Sequence, residues 1–428
     1  MTSPAYSHHF SHNNLPYGVA SSSAHAQQCA TRLHNTVIFL GALQKAGFFD
    51  GISELPNDVF IEDTLNTFAA LPASVQSAVR THLQSALKSG SDALPSNTTA
   101  GLNEVTLHLP VSIGAFTDFS CSLNHVRNAG RAILNDPSPP PGFFHFPIGY
   151  AGRASTIVVS GTPITRPGGH FYDRSNPTPK TVIYGPSRAL DYELELGVII
   201  GRPLGPRQGV NAKDAEGHVF GFVVLNDWSA RDIQGLEMIP LGPLNGKAFN
   251  TTISPWIVTV EALTPFKAAG PRPQVTLPAH LQEEEKFNYD ITMSVEILHS
   301  TSNPAPANTT NGTEAKTSTA APTTIATSRA ATLFWSHRQM AAHLASSGCD
   351  LRTGDILGTG TISGEDDGSY GCLLESTRGG KESVKLAGGA GERVYLLDGD
   401  VVRMSATVGP EGSGVGFGEC VGEVRSST

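Results

Sequence analysis

The sequence predicts a mostly β fold with accessory α+β elements, arranged as a small N-terminal unit ahead of a larger C-terminal one. Three observations point there. Glycine (45) and proline (29) are plentiful while only 16% of residues are charged, a balance that suits many turns and strands better than long solvated helices. Residues 289–298 alternate with period two: Ile291, Met293, Val295 and Ile297 fall on one face, Thr292, Ser294 and Glu296 on the other. Strand-like segments dominate from residue 109 onward, whereas residues 1–108 read as a separate unit.

Each element follows from local chemistry. Asn14-Leu-Pro-Tyr-Gly18 is a turn cluster, and residues 36–40 form a short strand candidate. A helix is expected over 72–88, with Pro72 at its first position and Val75, Val79 and Leu83 at four-residue spacing. Ser89-Gly90-Ser91 ends it, and residues 95–101 read as a linker. Ser336 is expected to cap a second helix, with Gln339 three residues on and Gly348 closing it. Residues 394–404 suggest two strands around the turn Asp398-Gly399-Asp400. Residues 299–331, rich in Thr, Ala, Asn, Ser and Pro, are expected to be a disordered surface insertion.

Charge and thiols narrow the possible functions. A formal charge of −9 and a pI near 5.9 argue against a nucleic-acid partner. No apolar run approaches the roughly 18 residues of a membrane span, so no membrane partner is expected. The five cysteines, Cys29, Cys121, Cys349, Cys372 and Cys420, form no CxxC pair and are odd in number. Reduced thiols are expected, not a zinc ribbon or a disulfide framework. The opening MTSPAYSHHFSHNN lacks a basic start and an apolar stretch, so no secretory signal is expected and a cytoplasmic location is. His8, His9 and His12 read as a frayed polar tail. A Walker A loop, a GxSxG elbow and an HExxH pair are all absent, and the glycines of 412–418 do not keep GxGxxG spacing.

Acidic residues carry the chemical signal. Glu193 and Glu195 lie two apart in a strand-like segment, which aims both carboxylates at one face. A solvated edge would read the same way, but the following Gly197-Val-Ile-Ile-Gly201 argues for an interior strand. Asp118 and His125 lie seven apart; in a helix that is nearly two turns, so both would project from one face. A metal ligand beside a general base is one reading, and a surface histidine the other. Asp227 follows the apolar run 219–225, either at a site or as a helix N-cap. Asp118, Glu193, Glu195 and Asp227 could together form one cluster. Two like charges about 4 Å apart repel by about 4 kcal/mol at an effective dielectric near 20, so such a cluster calls for a cation or shared protons. All-oxygen ligands favour Mg²⁺ or Ca²⁺ over zinc.

Ordered blocks along nearly the whole chain resemble the fumarylacetoacetase family. They include Asn14-Leu-Pro-Tyr-Gly-Val19, Thr117-Asp-Phe119, Pro147-Ile-Gly-Tyr-Ala-Gly-Arg-Ala154 and Leu190-Asp-Tyr-Glu-Leu-Glu195. Asn226-Asp-Trp-Ser-Ala-Arg-Asp-Ile-Gln234, Pro240-Leu-Gly-Pro243, Thr251-Thr-Ile-Ser-Pro-Trp256, Gly360-Thr-Ile-Ser-Gly364 and Leu396-Leu-Asp-Gly-Asp400 continue the match.

The resemblance implies an SH3-like β-barrel over 1–108 and a mixed β-roll catalytic domain over 109–428, paired as a homodimer. It also implies hydrolysis of a carbon–carbon bond in fumarylacetoacetate or a related 1,3-diketo acid, as in tyrosine and phenylalanine breakdown. By position it assigns metal ligation to Asp118, Glu193, Glu195 and Asp227, with Lys247 and Thr251 lining the metal site. His125 becomes the general base and Glu375 the acid that orients it. Arg231, Gln234, Lys247, Thr361 and Tyr150 become contacts to substrate or to the developing oxyanion.

Departures fall in the pocket. Ser120 and Met238 stand where the family typically has tyrosines, Leu134 where it has an arginine, and Ala151 where it has a histidine. They imply a changed substrate preference. Decarboxylation, isomerisation or carbon–carbon bond formation on the same scaffold is the second reading, and a non-catalytic metal-binding protein the third.

Overall fold

The computed structural model describes residues 4–175, 178, 180–299 and 322–427. In the N-terminal part, five strands form an antiparallel sheet in the spatial order Thr99–Gly101, Thr36–Phe39, Gln28–Leu33, Tyr17–Ser22, Val105–His108. The expected helix is Ala73–Ala86, burying Val75, Val79 and Leu83 as their spacing requires. Pro72 sits one place earlier than expected, at the N-cap.

The apolar cluster under this sheet continues past residue 108. It joins Tyr17, Ile38, Phe60, Phe68 and Val79 to Ile199, Val223, Leu225, Ile257 and Ile356. The main sheet of the C-terminal part thus has one face packed against the N-terminal part. That sheet is mixed, in the order Gly149–Ala151, Phe116–Phe119, Ile356–Gly358, Leu194–Ile200, Val219–Asp227, Thr251–Ile253, Ile157–Val159, with Val258–Thr259 paired to the side. Its other face meets a second sheet, ordered Thr323–Arg329, Ile291–His299, Asp400–Val408, Gly416–Arg425, Ile164–Thr165. Leu194, Leu196, Val198 and Ile200 pack there with Met293, Val295, Ile297, Val402 and Met404. Burial on both faces explains why 194–200 and 219–225 read as apolar runs without alternation.

Three expectations need correction. The strand Thr323–Arg329 lies inside the stretch expected to be disordered. It pairs antiparallel with Ile291–His299 and buries Ile325 and Ala326; its threonines are polar in composition but favourable in a strand. Residues 300–321 of that stretch lie outside the described residues. Only Asp400–Val408 is a strand in the 394–404 segment. Its expected partner instead turns back, because the Asp400 carboxylate accepts from the Leu397 N–H and binds Arg393. The histidine tail is packed at one position: His8 and His12 are exposed, but His9 is buried and accepts a hydrogen bond at Nδ1 from the Gly418 N–H, 3.1 Å away. Among the described residues, no helix is long and apolar enough to cross a membrane.

Candidate active site

Strand alternation delivers the four acids to one place. Phe116, Ile199, Leu225 and Ile356 all belong to the cluster facing the N-terminal part. Asp118 is two residues beyond Phe116, Asp227 two beyond Leu225, and Glu195 four before Ile199, so all three share that face. Glu193 precedes the strand by one residue. All four carboxyls are buried, and each offers an oxygen within 4.8 Å of the others. Gly358, two residues beyond Ile356, makes room for them. A Cβ there would stand 3.0 Å from Asp118 Oδ1 and 3.1 Å from Glu195 Oε2.

Few donors serve this cluster. Lys247 Nζ donates to Glu193 Oε2 (2.5 Å) and Asp227 Oδ2 (2.8 Å). Thr251 Oγ1 donates to Asp227 Oδ1 (2.7 Å), Tyr150 Oη to Asp227 Oδ2 (3.2 Å), and the Gly360 N–H to Glu195 Oε2 (3.0 Å). Arg231 Nη1 donates to Glu193 Oε1 (2.6 Å) and Gln234 Oε1 (3.1 Å), while its Nε serves Asp191. Lys247 and Arg231 therefore face four carboxyls, with Arg231 shared further. Asp118 Oδ1 and Glu195 Oε1 are buried without a hydrogen-bond partner among the described residues. Burial first, then the neighbouring Asp227 carboxylate, pushes Asp118 up to about 7. Burial and the Asp118 charge hold Glu195 well above the usual carboxylate range. Glu193 goes the other way: burial opposes ionisation, but Lys247 and Arg231 overcome it. The residues present fit a hard divalent cation, since orphaned oxygens, an all-carboxylate donor set and a shortage of positive charge coincide.

Beside the cluster stands an imidazole. Ser122 caps the helix Leu123–Leu134 by accepting from the His125 N–H. His125 Nδ1 lies 2.9 Å from Glu375 Oε2. Glu375 is itself fixed by Asn128 Nδ2 (3.1 Å), Ser363 Oγ (2.7 Å) and Cys372 Sγ (3.2 Å). Burial opposes the His125 charge, yet the Glu375 carboxylate raises its pKa above the ordinary histidine value. With Nδ1 held, Nε2 is the nitrogen left for proton transfer.

The Asp118–His125 spacing belongs to no single helix: Asp118 is on the strand Phe116–Phe119 and His125 on the helix after it. Nor does Asp227 cap a helix, because Ala230 holds the N-cap of Arg231–Glu237. Thr361 is buried, its hydroxyl without a partner among the described residues, and Ser120 is half-buried. Leu134 (75% exposed) and Met238 (47% exposed) end two helices outside the buried cluster. Ala151 is exposed in the Gly149–Ala151 strand. A cavity of about 60 Å³ abuts the cluster, lined by Phe116, Tyr150, Asp227, Leu244, Lys247 and Thr251 among others. Sequence reasoning missed Asn128, Ser363 and Cys372 around Glu375. Asn128 was within reach of it, lying three residues after His125 on the same helix face.

The fold and site define a class: a mixed-sheet protein whose carboxylate cluster could hold a metal ion beside an imidazole–carboxylate pair. Residues 13–110 match the family model for the fumarylacetoacetase N-terminal region, and residues 114–425 that for the fumarylacetoacetate hydrolase C-terminal region. The chain belongs to the fumarylacetoacetase family. It is 40% identical to a fumarylacetoacetase of Aspergillus fumigatus, over 97% of this chain and 95% of that one. It is 38% identical to the Arabidopsis thaliana fumarylacetoacetase (98% and 96% covered) and 34% identical to that of Bos taurus (96% and 95%). In fold it resembles a fumarylacetoacetate hydrolase from Exiguobacterium antarcticum, at TM-score 0.53, 16% identity and coverage of 96% and 99%.

Proposed function

We propose that this chain hydrolyses the carbon–carbon bond of fumarylacetoacetate or a close 1,3-diketo acid, releasing two acids. The observation that carries the reading is the His125–Glu375 pair beside four convergent carboxyls. Asp118, Glu193, Glu195 and Asp227 would hold a divalent ion, Mg²⁺ or Ca²⁺ by the donor chemistry, which when bound would supply Lewis-acid polarisation of a carbonyl. Lys247 and Thr251 position that site. His125, oriented by Glu375, accepts a proton from water as its oxygen attacks the carbonyl carbon. Lys247, Gln234 and Arg231 face the negative charge that develops on the carbonyl oxygen. The carbon–carbon bond then breaks, the hydroxyl staying on the acyl fragment and a proton going to the departing carbon. Tyr150 and Thr361 contact the substrate.

Of the four departures, Ala151 lines the cavity beside the cluster while Leu134 and Met238 are exposed outside it, so a substrate long enough to reach them meets uncharged side chains in place of the family's usual grip. A lost charged hydrogen bond costs about 1.5–3 kcal/mol, so the preferred substrate is less anionic or bulkier than fumarylacetoacetate. The five-stranded N-terminal sheet over 1–108 is read as an SH3-like barrel and 109–428 as the catalytic β-roll. The working form is read as a cytoplasmic homodimer.

The test is turnover of a panel of diketo acids, with and without Mg²⁺ or Ca²⁺, with His125→Ala as control. Metal-dependent cleavage that falls about 10²- to 10⁴-fold in the variant is expected. Cleavage unaffected by His125→Ala would refute the reading, and efficient turnover of fumarylacetoacetate would refute the altered preference.

A further inference from the structure

Asp191 is fully buried and accepts hydrogen bonds from two separate parts of the site. Its Oδ2 receives Arg231 Nε at 2.9 Å, and Arg231 Nη1 reaches on to Glu193 of the acidic cluster. The same oxygen receives the Leu374 N–H (2.9 Å), and Oδ1 the Leu373 N–H (2.8 Å). Those two amides open the one-turn helix Leu373–Ser376, which carries Glu375, the partner of His125. A fourth donor, the N–H of the next residue, Tyr192, holds Oδ1 at 2.8 Å.

One carboxylate is thus the shared anchor of an arginine on the acidic cluster and of the helix that orients the imidazole. A helix of four residues has too few internal hydrogen bonds to fix its own position. Its first-turn amides have no partner within the helix and must be satisfied from outside, and Asp191 satisfies two of them. Asp191 also neutralises Arg231 from the side away from Glu193, so the guanidinium is held between two carboxylates in one geometry.

The structure assigns Asp191 as a positioning residue that sets the spacing between the acidic cluster and the His125–Glu375 pair. It acts through Arg231 and Glu375 and does not itself meet the substrate. This assignment rests on the catalytic reading given above for its kinetic consequences, while its structural consequence stands independently.

The test is a double-mutant cycle with Asp191→Asn, Glu375→Gln and the pair, on the diketo acid turned over best, alongside a crystal structure of Asp191→Asn. Asn keeps the shape and one acceptor oxygen, but its NH₂ group then meets two of the four donors that point at this side chain. Replacing such an orienting partner typically lowers activity about 10- to 100-fold. We expect a kcat loss in that range for Asp191→Asn, a melting profile that remains cooperative, and a double variant little worse than Glu375→Gln alone. In the crystal structure, the Glu375 helix shifts and the His125–Glu375 hydrogen bond opens.

Losses that simply multiply, or an unshifted helix with His125 and Glu375 still bonded, would overturn the assignment. Should Asp191→Asn fail to fold, the smaller Asp191→Ser carries the same cycle. If the wild-type chain cleaves no diketo acid, the functional reading fails, and the helix position in the variant still decides the role of Asp191.

Discussion

Gly358 shows how much a single position can control at this site. Its missing side chain is the space into which Asp118 and Glu195 project, and a methyl group there would also meet the Phe116 ring at 3.0 Å. Gly358→Ala should therefore push the carboxylates apart while leaving the strand pairing intact. The expected outcome is a fall in divalent-metal affinity of about tenfold or more, with a stability loss of about 1–3 kcal/mol from overpacking. Isothermal titration and urea unfolding on the same protein would separate the two. Glu193 and Glu195 were legible from their period-two spacing, Asp227 from its place after an apolar run, and Asp118 through the motif blocks, since its expected helical spacing to His125 did not hold. Gly358 was not, since a glycine's role here depends on which side chains crowd it across strands. Asp191 left a trace, standing two residues before Glu193 as Glu193 stands before Glu195. Alternation alone could not say that its partners would be Arg231 and two backbone amides.

Elements were legible where a local rule suffices. Ser336 and Gln339 form the expected capping box on the helix His337–Ala345, and Gly348 follows with φ at +83°. Ser336 Oγ also meets Glu283 at 3.0 Å. Ser336→Ala should cost about 1–2 kcal/mol, at the upper end for a cap, measured as a shift in the urea midpoint. Elements were misread where two rules compete. The Asp118–His125 segment breaks into strand and helix because Phe116, Thr117 and Phe119 suit a pleated surface and Ser122 starts a fresh helix as its cap. The strand Thr323–Arg329 was hidden by polar composition, since its register against Ile291–His299 is a long-range fact.

At the scale of the whole molecule, the N-terminal segment is tied to the last strand. Asn14 Nδ2 donates to the carbonyls of His9 and Gly416, and His9 accepts from Gly418. Burial, aided by His8 and Arg32, pushes the His9 pKa down to about 4. The unfolded chain, with histidine near 6.5, binds that proton first. Stability from neutral His9 is thus present above pH 6.5 and is lost as pH falls toward 4, by up to about 3 kcal/mol. Thermal midpoints between pH 7 and 4.5 should fall more steeply for wild type than for His9→Gln. An equal slope would show that His9 is not held neutral in the fold.

The claim on which the rest depends is that the four buried carboxyls hold one hard divalent ion. Calorimetric titration of chelator-stripped protein with Mg²⁺ and with Ca²⁺ tests it most directly, with Glu195→Gln in parallel. One saturable site per chain for at least one of the two ions, lost in the variant, is the predicted result. No binding by wild-type protein, or undiminished binding by Glu195→Gln, would contradict it.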